Sequence, residues 1–115
     1  MKLKITIGSN SFTGTLYKNA SVTAFKEQLP MTMNMKELNG NEKYFDLPTY
    51  LPHNALNPGT IQSGDLMLYG SSTVVLFYKT FSTSYNYTAL GRIDNPSALA
   101  AALGRGNVTV TFEAE

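Results

Sequence analysis

GDLMLYGSSTVVLFYK, residues 64–79, holds two apolar runs joined by Gly70-Ser71-Ser72. The second run, TVVLFYK at 73–79, lacks polar alternation, as expected of a strand covered on both faces. The first run starts from a Ser-Gly-Asp turn, and the short link makes the pair an antiparallel hairpin. Asp65 belongs to that turn, its carboxylate accepting local backbone N–H groups.

Other segments repeat the strand signature. KLKITI at 2–7 sets Leu3, Ile5 and Ile7 on one face and Lys2, Lys4 and Thr6 on the other. A GSN turn leads to SFTGTLY, with Phe12 and Leu16 on one side and Gly14 hinting at a bulge or bend. NASVTAFKEQLP changes period: Asn19 caps a helix, Val22, Phe25 and Leu29 form its stripe, and Pro30 stops it. MTMNMK alternates again, so Met31, Met33 and Met35 share a face. A flexible thioether lining for a ligand is one reading of that stripe, and core filling is the favoured one.

Residues 48–64, PTYLPHNALNPGTIQSG, have weak periodicity and three prolines, which makes them a long surface excursion of the kind that often carries function. FSTSYNYT is a polar loop rich in tyrosine, and ALGRI a short strand. DNPSALAAALG reads as a helix with Asn95 as cap, Pro96 in the first turn and Gly104 as terminator. NVTVTFE closes with Val108, Val110 and Phe112 inward. The expected fold is mostly β, a small closed antiparallel barrel of about seven or eight strands with two short helices, because closure removes strand edges. Its core is expected to bury Phe25, Leu29, Met31, Met33, Val75, Phe77, Val108 and Val110 together.

Length and composition narrow the function. A chain of 115 residues suits one domain, spanning 1–115. Nine basic and eight acidic residues are scattered, leaving no footprint for nucleic acid or an anionic membrane surface. The absence of cysteine excludes disulfides, thiolate metal sites and cysteine nucleophiles. No apolar run is long enough for a membrane span or signal peptide, so the chain as written is expected in the cytoplasm, or in the periplasm or outside the cell if a leader precedes it.

AFKEQLPMTM, NGNEKYFDLP, SGDLMLY, VVLFYK and LGRI, in that order and spacing, resemble the bacterial cyclophilin-like family, whose members mostly lack an assigned function. The resemblance implies a cyclophilin-type barrel closed off by helices, with a shallow cleft along one face. Cyclophilins are prolyl isomerases whose cleft presents an arginine in a Phe-His-Arg run beside Phe, Gln and Met. That run is missing: the arginines are Arg92 and Arg105, neither in the segment after the first helix. The resemblance therefore carries over no catalytic residue, and fold alone does not fix chemistry.

The remaining candidates are weighed residue by residue. His53, the one histidine, sits in the long loop without a visible partner and reads as exposed. Ser63, Asp65 and His53 supply the ingredients of a nucleophilic triad without a strained nucleophile turn. GRGN at 104–107 has too few glycines and no following helix for a phosphate loop. In NGNEKYFDLP at 39–48, strand alternation sends Lys43, Phe45 and Leu47 one way and Glu42, Tyr44 and Asp46 the other. The simpler reading is a solvated charged face behind an Asn39-Gly40 turn. The functional one places Glu42 and Tyr44 at the cleft border, with Tyr69, Tyr78, Tyr85 and Tyr87 adding contact surface. The expectation is a binding module for a peptide or small organic ligand, with no cofactor and no metal. The alternative is a divergent prolyl isomerase or another enzyme using a cleft carboxylate.

Overall fold

In the computed structural model, which describes residues 1–115, Leu3, Ile5 and Ile7 of β1 (Lys2–Ile7) are buried and Lys2 and Lys4 are exposed. A two-residue turn at Gly8-Ser9 joins β1 to β2 (Asn10–Leu16), with Ile7 opposite Asn10. Helix α1 (Ala20–Glu27) starts where the Asn19 side chain accepts the Val22 N–H at 2.8 Å. Its Val22 and Phe25 are buried, and Phe25 meets Phe112 edge-on with ring centroids 6.3 Å apart. The helix stops at Gln28 rather than running on to Pro30, so Leu29 leaves the apolar stripe and is only half-buried.

Strands β3 (Met31–Leu38) and β4 (Glu42–Asp46) follow, and after the long excursion come β5 (Thr60–Ile61), β6 (Asp65–Tyr69), β7 (Thr73–Phe77), β8 (Phe81–Ser82) and β9 (Thr88–Ile93). Helix α2 (Leu99–Leu103) and β10 (Val108–Ala114) end the chain. Eight of the strands close into an antiparallel barrel in the order β1-β10-β3-β4-β7-β6-β9-β2, with β2 pairing back onto β1. The other two, β5 and β8, form a separate ribbon. Two-residue strands are too short to show a period, which is why the sequence exposes only the eight. No helix is long and apolar enough to cross a membrane.

Two glycines let the barrel close. A Cβ on Gly14 would stand 2.9 Å from the Arg92 carbonyl oxygen, and one on Gly91 would collide with the Thr15 carbonyl oxygen. Both lie where β2 meets β9, a backbone approach that admits no side chain. Register between β1 and β2 runs unbroken through Gly14, so of the bulge or bend it hints at, the bulge is absent. It occurs instead on β9, where Leu66 pairs with Gly91 and Met67 with Ala89, leaving Leu90 over.

The expected single core is two. Inside the barrel, Met33, Met35, Val74, Leu76, Val110 and Phe112 pack with the inward residues of β1, β6 and β9. Core filling is therefore the role of the methionine stripe, although Met31 and Val108, at strand ends, are only partly covered. Val75 and Phe77 point the other way, into a second cluster with Ile61, Met67 and Tyr87 on the outer surface. As read from its apolar run, β7 is buried on both faces, Val74 and Leu76 inward and Val75 and Phe77 outward. Asn95 does not cap α2: the helix begins three residues later than its pattern suggests, behind Ala98, which offers no side-chain cap. The Asn95 oxygen instead accepts the Ser97 hydroxyl at 3.1 Å in the preceding turn. Gly104, at φ 65°, ends the helix as expected.

Candidate functional site

The outer face of the barrel carries a cavity of about 520 Å³. Strand pairing builds its floor: Tyr44 lies opposite Val75 and Asp46 opposite Thr73 across β4 and β7, with Glu42 opposite Phe77. Tyr69 at the end of β6 and the chain from Phe81 to Tyr87 form one wall, and Leu38, Asn39 and Asn41 of the β3–β4 turn form another. The excursion is held to this wall by a bridge between Leu56 and Tyr87 and by the β5–β8 ribbon.

Alternation along β4 divides its charges as the sequence indicates, and Asp46 is exposed, but Glu42 and Lys43 do not lie on a solvated face. Lys43 is fully buried and Glu42 is 8% exposed, so the solvated-face reading fails at Glu42, which the neighbouring strands and turns cover. Lys43 points to the barrel side. Its ammonium group donates to the carbonyl oxygens of Gly104 at 2.9 Å and Gly106 at 2.6 Å and pairs with Glu37 at 2.9 Å. Three donors meet three acceptors, which is what a buried ammonium requires. Tyr78 completes this cluster, donating its hydroxyl hydrogen to Glu37 at 2.6 Å. Burial pushes the Glu37 carboxyl up, but the hydrogen bonds from Tyr78, Lys43 and the Gly40 N–H outweigh it and hold the group below its ordinary value. Burial, the bond to Glu37 and the charges of Glu37 and Glu42 push the Tyr78 phenol up to about 12.

Glu42 faces the cavity and makes no hydrogen bond or ion pair within the chain. Burial pushes its carboxyl above the ordinary carboxylate range, and the charge on Glu37 adds to the effect. Tyr87 is also buried, and its phenol is raised by burial and then by the negative charge of Glu42. Tyr69 and Tyr85 are 49% and 63% exposed. Their rings meet at 90° with centroids 6.4 Å apart, and Tyr69 lies 5.6 Å from Tyr87 at 57°. A further polar atom, the side-chain oxygen of Asn41, is buried at the cavity wall without a partner.

Of the residues singled out from sequence, Glu42, Tyr44, Tyr69, Tyr85 and Tyr87 gather round this one cavity. Tyr78 does not, because it belongs to the Lys43–Glu37 cluster on the other side of β4. Asn41, Thr73, Phe81 and the serines at 82 and 84 line the cavity without having drawn notice. Their signal is non-local, since Thr73 comes beside β4 through the β4–β7 pairing and Phe81 and Ser82 belong to the β5–β8 ribbon. His53 is exposed, with its ring 3.3 Å from the Leu51 carbonyl oxygen, and no hydrogen bond joins it to Ser63 or Asp65. Asp65 accepts the Gln62 N–H at 2.8 Å, as its turn role requires. The carbonyls of the GRGN turn converge on a lysine, the inverse of a phosphate loop, in which N–H groups converge on an anion.

A sequence profile described as the cyclophilin-like family matches residues 5–113. No curated protein matches the chain. Among solved structures, the solution structure of a hypothetical protein from Archaeoglobus fulgidus is similar, at 19% identity and a TM-score of 0.65, over 98% of this chain and 93% of the archaeal one. At that identity the likeness speaks for the fold, a closed barrel of eight antiparallel strands, and the neighbour's archaeal source means the likeness is not confined to bacteria. With the profile spanning nearly every strand of that barrel, the chain belongs to the cyclophilin-like family.

Proposed function

We propose that this chain is a binding module, taking a small organic ligand or a peptide side chain in the cavity outside β4 and β7. One observation carries the reading: Glu42, a residue more than nine-tenths buried, opens its carboxylate onto the cavity with no partner of its own. Burying such a group uncompensated costs stability, so a fold that keeps one has a use for it. The surrounding tyrosines give contact area at low rotamer cost, and a volume of about 520 Å³ suits a small molecule. Titration with a set of small organic fragments, neutral and charged, followed by amide resonances, tests this. The expected shifts cluster at Glu42, Tyr44, Tyr69, Tyr85 and Tyr87; binding elsewhere, or none, overturns the reading.

The raised Glu42 carboxyl favours a second reading, in which it serves as a general acid or base. Prolyl isomerisation is not the reaction expected. The barrier to rotation is about 20 kcal/mol, and the arginine by which cyclophilins are held to lower it has no counterpart among the cavity residues. Arg92 is exposed on β9 and Arg105 is exposed in the turn after α2. A protease-coupled assay on a Xaa-Pro peptide should show no acceleration. Clear acceleration lost in Glu42→Gln would replace the binding module with an enzyme.

A further inference from the structure

We propose that the ligand of this cavity is an organic cation, with its charged nitrogen held by Glu42 and the neighbouring rings of Tyr69, Tyr85 and Tyr87. The inference rests on the binding reading above and adds the sign of the charge. The cavity residues include two carboxylates, Glu42 and Asp46, and no lysine, arginine or histidine. Glu42 is 8% exposed and unpaired, and the charge next to it in sequence is taken up elsewhere, since Lys43 is spent on Glu37, Gly104 and Gly106.

Each ligand class meets this lining differently. An anion adds like charge to a carboxylate already close to another negative group, Glu37. A neutral molecule leaves the buried charge uncompensated. A cation supplies the missing partner inside a partly water-excluded site, where an opposite charge counts for more than it does in bulk water. The tyrosines extend the argument. Rings inclined at 90° and 57° to Tyr69 make an angular corner rather than a flat stack, and the electron-rich faces of tyrosine attract ammonium and guanidinium groups.

Three probes of one shape separate the classes: choline, its neutral carbon isostere 3,3-dimethylbutan-1-ol, and the anion 3,3-dimethylbutanoate. Each is titrated into the whole chain while the amide resonances of the cavity residues are followed. Choline should bind about tenfold or more tightly than the alcohol, and the carboxylate should not bind. Glu42→Gln, close in volume, should remove choline's advantage over the alcohol, whereas Glu42→Asp should keep part of it. Equal binding of choline and alcohol, or an advantage that survives Glu42→Gln, overturns the cation inference and leaves the binding module standing. A cavity silent to choline also overturns it. The binding module falls separately, when no fragment of any charge moves the same resonances.

Discussion

Adjacent residues Glu42 and Lys43 are both withdrawn from water, yet they meet opposite conditions. Lys43 has a full set of acceptors and ties the turn after α2 to β4. Replacing it with methionine should cost about 3 kcal/mol, because two carbonyls and Glu37 lose their partner together; a fall in urea midpoint at unchanged slope measures it. Glu42 should show the reverse. Its carboxyl holds a proton more tightly in the folded chain than in the unfolded one, so stability falls as pH rises from the ordinary value of 4.5 through the raised one. No cation relieves it, since Glu37 and the phenols of Tyr78 and Tyr87 are the titratable groups that sense its charge or add to it. Glu42→Gln should therefore raise the denaturation midpoint at neutral pH, and the two proteins should converge below pH 4.5. A midpoint that drops at neutral pH would show that the carboxylate stabilises the fold.

At the level of elements, the two helices begin differently although both follow an asparagine. Asn19 caps α1 through the Val22 N–H and also donates to the Ala89 carbonyl oxygen on β9 at 2.9 Å. Asn95 binds only the turn before α2. Asn19→Ala should cost about 1 kcal/mol, whereas Asn95→Ala should stay within about 0.5 kcal/mol, both read by thermal or chemical denaturation. Local periodicity makes β1, β2, β3 and β10 legible, together with the division of β4 into two faces, and a continuous apolar run does the same for β7. It does not reveal what covers those faces. Solvation looks like the simple fate of an EK pair because the covering residues, Phe77 and Val75 across from β4 and Gly104 and Gly106 beyond, are far away in sequence. The same distance hides Thr73 and the serines of the cavity wall, and the separation of Val75 and Phe77 from the barrel interior.

For the whole molecule, closure gives the barrel strands partners on both sides, while the β5–β8 ribbon has two residue pairs and open edges. Hydrogen exchange should be slowest at β1, β10 and β7 and faster by orders of magnitude in the ribbon. Equal protection throughout would mean that barrel and ribbon open as one unit. Chain integrity and cavity shape thus depend on different bonds. Residues 82–85 form a cavity wall yet take no part in the barrel, so their sequence is free to drift without endangering the chain. A library randomising 82–85 should return mostly folded members, each with an altered cavity, while one randomising 74–77 should return few. Such independence lets one inherited barrel acquire new ligands by successive small edits to a single wall, each tested by selection while the protein stays intact.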